Sequence, residues 1–230
     1  KAGLTSPLFG PAMKLGQLLR PLVPAALRDK VPAKPDARAD LWPTRTHKRK
    51  VLMLMGCVQP AMMPNINAAT ARVLDAAGIQ TLVADDAGCC GAIRAHLNDH
   101  EGGLADMRRN IDAWWPLVEG LTSAGRVEAI VMNASGCGVT VKEYGQHLKH
   151  DAAYAKKAER ISALTKDLSE LLPELTPILQ KKIKHSATKL AFHPPCTLQH
   201  GQQLRGGVEQ GLRDLGFEVS LATQESHLCC

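Results

Sequence analysis

The residues best suited to chemistry in this chain are seven cysteines: Cys57, Cys89, Cys90, Cys137, Cys196, Cys229 and Cys230. Two vicinal pairs within an odd total make a poor disulfide framework, because neighbouring cysteines bridge only through a strained eight-membered ring. Such clustering points to metal or redox chemistry. A free thiol can also serve as a small buried hydrophobe, but that does not explain the spacing. Cys57 precedes Cys89 by 32 positions, and Cys196 precedes Cys229 by 33. The flanks repeat as well. Lys50–Met55 precedes Cys57 as Lys189–Phe192 precedes Cys196, and Ala77-Gly78-Ile79 matches Leu215-Gly216-Phe217. The offset between copies is 139 at the lone cysteine, 138 at the glycine and 140 at the pair. The chain is read as a duplication whose second copy is cut short.

In the first copy, Cys57, Cys89, Cys90 and Cys137 can converge. Four thiolates match either a [4Fe–4S] cluster or a tetrahedral structural zinc. Successive side chains on extended backbone point apart, which suits a cluster several ångströms across better than one small ion. Gly88, Gly91, Gly136 and Gly138 would let backbone N–H groups approach the sulfurs. Around the second copy's Cys196, Cys229 and Cys230 stand His193, His200 and His227. Their spacing would also suit zinc, with hydrogen-bonded loop histidines as the plainer alternative. A thiol–disulfide enzyme built on Cys89–Cys90 is the weaker reading, since redox catalysts favour C-x-x-C. No Ser-His-Asp order, HExxH, P-loop or GxGxxG occurs, and no catalytic residue is assigned.

The elements that must position these thiols read as β-α-β. Val51–Met55 is a continuously apolar run, as expected of a strand covered on both faces. A helix capped by Asn65 or Asn67 follows, its apolar face formed by Ile66, Ala69, Val73, Leu74 and Ala77, and Gly78 ends it. Ile79–Val83 is the next strand, Gly88–Gly91 a loop, and Asp99–Leu121 a helix. Ala129–Met132 is a third strand, with Cys137 in the loop 133–138 beyond it. Residues 139–184 read as helical, with a stripe of Leu164, Leu168, Leu171 and Leu172. The second copy has a strand at Lys189–Phe192, a helix carrying Leu204, Val208, Leu212 and Leu215, and a strand at Phe217–Leu221. Every cysteine site falls near strand carboxyl ends, where open α/β sheets assemble their sites. Residues 13–28 form a basic amphipathic helix broken at Pro21 and Pro24, read as a connector rather than a membrane-surface element. Residues 32–48 form a linker.

Composition bounds the rest. The 230 residues are 45% hydrophobic and 22% charged, which excludes wholesale disorder. Only 3% are aromatic, too few for a reader that stacks nucleic-acid bases, so no nucleic-acid partner is expected. The net charge of +6 is modest, and its densest run, His47–Lys50, reads as a solvated flank. No run approaches the ~18 apolar residues of a membrane span, and no signal peptide opens the chain. The expectation is a piece of a longer cytoplasmic polypeptide.

Six segments carry a resemblance. They are Gly56-Cys-Val-Gln-Pro60, Asn65-Ile-Asn-Ala-Ala-Thr-Ala-Arg72, Ala87-Gly-Cys-Cys-Gly-Ala92, Arg108-Arg-Asn-Ile-Asp-Ala-Trp-Trp115, the run from Ala134 to Tyr144, and His193-Pro-Pro-Cys-Thr-Leu-Gln-His200. In this order they resemble the cysteine-rich CCG domain of heterodisulfide reductases and, more closely, the iron–sulfur subunits of bacterial glycolate oxidases. The resemblance implies an α/β fold of two tandem β-α-β CCG repeats with helical connectors, the second truncated. It divides the chain into a connector and linker (1–48), a first CCG domain (49–150), a helical connector (151–187) and a second CCG domain (188–230). It implies that all seven cysteines bind an iron–sulfur cluster, [4Fe–4S] in type. It also implies FAD on partner subunits rather than on this chain, electron transfer from glycolate oxidation to the quinone pool, and a cytoplasmic location or one peripheral on the inner membrane face. The family's ferredoxin-like CxxCxxCxxxCP runs are absent. Where heterodisulfide reductase has CxxC, this chain has Ala134-Ser-Gly-Cys137, one thiolate fewer. An iron–sulfur subunit of a lactate or glycerol-3-phosphate dehydrogenase complex, or a zinc-stabilised docking scaffold, are the competing expectations.

Overall fold

The computed structural model describes Gly3, Ser6 and residues 8–28, 31–33, 40–183 and 188–222. Its centre is a four-stranded parallel sheet in the order β2-β1-β3-β4, formed by β1 (Arg49–Met53), β2 (Ile79–Leu82), β3 (Ala129–Met132) and β4 (Thr165–Asp167). Val51 pairs with Thr81 on one side and Ala129 on the other, so β1 is central. β1 and β3 alternate their side chains between two cores. Val51, Ala129 and Val131 pack with Leu74, Ile79, Leu171 and Leu175 on one face. Leu52, Ile130 and Met132 pack with Ile111, Trp114, Tyr144 and Ile161 on the other. Burial on both faces explains the unbroken apolar runs.

The chain enters through α1 (Phe9–Leu19), a 3-10 turn and α2 (Ala25–Arg28), broken at the prolines as expected. The next stretch, 40–48, lacks regular structure, yet it is tied down. Arg45 forms an ion pair with Asp75, and His47 Nε2 lies 2.7 Å from the same carboxylate. After β1 come the short α3 (Gln59–Met62) and α4 (Pro64–Ala76). Apolar periodicity misplaces the start and the face of α4. Pro64 stands in the first turn and neither Asn65 nor Asn67 caps it, while the buried side is Asn67, Ala68, Thr70, Ala71, Leu74 and Asp75. Val73 is 40% exposed. Asn67 donates to the Met55 carbonyl and accepts from Gln59 and Asn133, while Thr70 donates to the Ile66 carbonyl and accepts from Asn133, so polar residues occupy positions where periodicity favours apolar ones.

β2 leads through the Gly88–Gly91 loop into α5 (Ala92–His96) and α6 (His100–Glu119). Asp99 accepts from Gly102 N at the start of α6, and Gly120 closes it at φ +73°. After β3 come α7 (Ser135–Lys142), α8 (Tyr144–His147) and α9 (Ala155–Leu164). Two expectations are corrected here. Cys137 lies in the first turn of α7, not in a loop. Residues 139–184 are not helical throughout, since β4 joins the sheet beside β3 before a 3-10 turn and α10 (Leu172–Leu179). β4 reads Thr-Lys-Asp, with no apolar alternation, because an edge strand three residues long owes its place to backbone pairing. The leucine stripe consequently splits, Leu164 packing on one core and Leu171 on the other.

The second copy repeats the plan. β5 (Lys189–Phe192) and β6 (Glu218–Leu221) pair in parallel with Lys189 opposite Glu218, much as Lys50 stands opposite Gln80. Between them lie a π-helical turn (Thr197–Gly201) and α11 (Gly207–Asp214). Leu204 precedes α11 rather than sitting within it. Gly78 and Gly216 take matching left-handed conformations at φ +83° and +92°. Cys229, Cys230 and His227 lie outside the described residues, as does their expected approach to Cys196. Among the described residues no helix is long and apolar enough to cross a membrane.

Two outcomes test this fold. Gly91 sits at φ +95°, and a Cβ there would stand 2.7 Å from the Gly103 carbonyl oxygen in α6. Gly91→Ala should therefore lower stability by about 2–4 kcal/mol in urea denaturation, from left-handed strain and overpacking together. Asp75 is held below the usual carboxylate range, chiefly by its hydrogen bond from Arg45. Its contribution is present above the unfolded pKa of about 3.9 and is lost as pH falls through the lower folded value. Asp75→Asn should lower the urea midpoint at pH 7, and the gap from the parent should close only below about pH 4.

Candidate metal centre

Parallel pairing brings the carboxyl ends of β1, β2 and β3 to one edge of the sheet, and each end supplies thiols. Cys57 follows β1 through Gly56, which turns the chain at φ +79°. Cys89 and Cys90 sit in the loop after β2, and Cys137 follows β3. The loops carrying the first copy's four thiols open at this edge. The thiols of Cys57 and Cys89, of Cys89 and Cys90, and of Cys90 and Cys137 are near enough to shift one another's ionisation. Cys89 and Cys90 are buried and Cys57 and Cys137 half-buried, and none of these four nor Cys196 is in a disulfide.

Four sulfurs this close cannot all be anionic without a cation. The thiol contact with Cys89 pushes Cys57 up, and contact with Cys137 pushes Cys90 up. Cys89 and Cys137 are held down, Cys89 by hydrogen bonds from Cys57 and Cys90 and Cys137 by one from Cys90. Protons thus alternate around the set. Positive iron would allow all four to be thiolates, and the all-sulfur donor set fits an iron–sulfur cluster. Among the described residues no three His, Cys, Asp or Glu side chains are grouped to hold a single metal ion.

The Cys89–Cys90 loop is gripped from below. Asn110 of α6 accepts from Gly88 N at 2.8 Å and donates to the Cys89 carbonyl at 2.8 Å. Tyr144 of α8 donates to the Cys90 carbonyl at 2.9 Å. Gly91 N lies 3.4 Å from Cys89 Sγ, a backbone donor to sulfur. Beside the loop, buried Asp106 lies 3.0 Å from both Arg94 and Arg109, and burial pushes its carboxyl up. On the opposite flank, Asn133 donates to Asn67 at 2.8 Å and to Thr70 at 3.0 Å. Gln59 bridges Asn67 and Asn133, each at 3.2 Å, and Asn67 donates to the Met55 carbonyl at 3.0 Å. This network ties the Cys57 loop to the strand leading to Cys137.

Sequence pattern alone gives Asn110 and Tyr144 no role. Asn110 interrupts the buried face Met107–Ile111–Trp114–Val118 of α6, and an amide on an apolar stripe was the available signal. In the second copy, Cys196 is half-buried and leads into the turn Thr197–Gly201. His193 and His200 are exposed, and His200 Nδ1 lies 3.4 Å from Arg205.

Residues 51–142 match the cysteine-rich domain CCG. The chain is 53% identical over 97% of its length to the glycolate oxidase iron–sulfur subunit of Escherichia coli, of which it covers 53%. It is 31% identical over 80% of its length to the probable glycolate oxidase iron–sulfur subunit of Bacillus subtilis, of which it covers 39%. Lactate utilization protein A of Bacillus pumilus is 25% identical over 64% of this chain, which covers 57% of that protein. The chain thus spans about half or less of the glycolate oxidase subunits it matches. Residues 51–142 are thus similar to the cysteine-rich CCG domain, and the chain is similar to part of the glycolate oxidase iron–sulfur subunits.

Proposed function

We propose that this chain is the cysteine-rich part of an iron–sulfur electron-transfer subunit of a glycolate oxidase complex. The observation that carries the reading is the gathering of Cys57, Cys89, Cys90 and Cys137 at one sheet edge. These four would hold a [4Fe–4S] cluster, whose chemistry is reversible one-electron transfer. Cys196, with Cys229 and Cys230, would serve a second site. Cys89 and Cys90, buried against α6 and α8, shield the inner side from water, while the half-buried Cys57 and Cys137 face the outer side. Electrons would arrive from FAD on partner subunits that convert glycolate to glyoxylate and would leave to the quinone pool. The protein would work in the cytoplasm or at the inner face of the membrane. Similarity to the Bacillus pumilus lactate utilization protein A supports a second reading, an equivalent subunit for lactate, but at lower identity and coverage.

Changing any one of Cys57, Cys89, Cys90 or Cys137 to Ser in the full-length subunit should lower bound iron, since a hydroxyl is a poor ligand for iron–sulfur clusters. Cys196→Ser should spare the first site. Metal analysis and the dithionite-bleached visible absorption check this, and stoichiometric zinc without visible absorption would establish a scaffold instead. In the assembled complex with Cys89 and Cys90 both changed to Ser, glycolate should still reduce flavin while quinone reduction fails. Undiminished quinone reduction would make the thiols structural.

A further inference from the structure

Vicinal ligation poses a geometric problem. On extended backbone, adjacent side chains and adjacent carbonyls alternate in direction, so two neighbouring thiols diverge. The loop Gly88–Gly91 does not alternate. The Cys89 and Cys90 carbonyls are both held by one joined pair of side chains, Asn110 at 2.8 Å and Tyr144 at 2.9 Å, which lie 3.1 Å from each other. Asn110 also accepts from Gly88 N, so its oxygen and its amino group both bind this assembly. Turning two successive carbonyls inward rotates the peptide between them, and that rotation swings the two Cβ atoms toward one side.

Among the described residues, the side-chain hydrogen bonds of both groups run to this loop or to each other. Asn110 and Tyr144 are fully buried in the core beside Met107, Ile111 and Trp114. A carboxamide in an apolar layer is costly unless it is bonded, and among the described residues every side-chain hydrogen bond of Asn110 runs to the loop or to Tyr144. The Tyr144 ring stacks on Trp114, with centroids 6.3 Å apart and planes 13° apart, which aims the hydroxyl at the loop. Gly91, left-handed at the end of the loop, lets the chain pass over α6 at contact distance.

We infer that Asn110 and Tyr144 are positioning residues that turn the adjacent thiols of Cys89 and Cys90 toward one cluster by holding both of their carbonyls. The inference rests on the iron–sulfur reading and adds to it how a Cys-Cys pair can ligate together.

Tyr144→Phe is the test, because it keeps the ring and its stacking and deletes only the O–H. Asn110→Ala also opens a cavity, and is therefore secondary. The reference is Thr165→Val, which deletes a buried hydroxyl donating to the Ile161 carbonyl at 2.8 Å. In the full-length subunit, Tyr144→Phe should release iron to a chelator roughly five- to tenfold faster than the parent, the factor expected from one lost buried hydrogen bond. It should also alter the electron paramagnetic resonance line shape of the reduced protein. In the cluster-free subunit, peptide mapping should show Cys89 and Cys90 alkylated faster by a similar factor. Thr165→Val should leave all three readouts at parental values. Equal behaviour of the two variants, whether changed or unchanged, would overturn the inference by reducing Tyr144 to a packing residue. A parent subunit without iron would refute the functional reading, and the alkylation comparison would still decide this one.

Discussion

The site depends first on parallel pairing of β1 with β2 on one side and β3 on the other. Parallel strands point all their carboxyl ends to the same edge, so three loops far apart in sequence open side by side. Cys57, the Cys89–Cys90 pair and Cys137 meet because of that arrangement. An antiparallel strand in any of the three places would send one of these loops to the far edge. The two apolar cores that cover β1 and β3 are what hold the strands in this order.

Pairing brings the loops together, but their thiols are held by polar contacts. Gln59, Asn67, Thr70 and Asn133 form one bonded group between the Cys57 loop and the end of β3. Asn110 and Tyr144 form another beneath Cys89 and Cys90. Both groups are at least part-buried, so each unmade bond would leave a desolvated polar atom, which favours a single arrangement of the sulfurs. This rigidity matters for thiols that repel when ionised. Cys89 and Cys137 stay low chiefly by accepting hydrogen bonds from neighbouring thiols that are themselves pushed up, with backbone N–H groups adding to the effect at Cys89. A multinuclear iron centre would remove that conflict.

The second copy is built onto the first site rather than beside it. Ser135, two residues before Cys137, has its hydroxyl 2.6 Å from that of Thr197, the residue after Cys196. Gln202 donates to the Ser135 carbonyl at 3.1 Å and to Asp167 at 3.0 Å. Val139 packs where a Cβ on Gly201 would come within 3.0 Å, so small residues permit the close approach. The turn that follows Cys196 and the helix bearing Cys137 are therefore bonded to each other, with β4 supplying Asp167 to the same junction.

The cysteine pattern by itself narrows the expected chemistry to metal or redox use. Vicinal pairs at repeated spacing have few uses, and the apolar runs of β1 and β3 state burial on both faces without any tertiary knowledge. The matched glycines at 78 and 216 likewise declared the repeat. What only the tertiary structure decided is where polar residues belong. The buried side of α4 is rich in Asn and Thr, and α6 carries Asn110 on its apolar stripe, because their partners come from loops distant in sequence. β4 has no pattern of its own and exists because β3 offers it an edge. Cys137 lies in a helix although glycines and β-branched residues surround it, since packing of Val141 and Tyr144 against the core outweighs weak local propensity. Periodicity reports which residues avoid water, whereas a buried amide or a three-residue edge strand is stabilised by a specific partner, and partners are set by the fold.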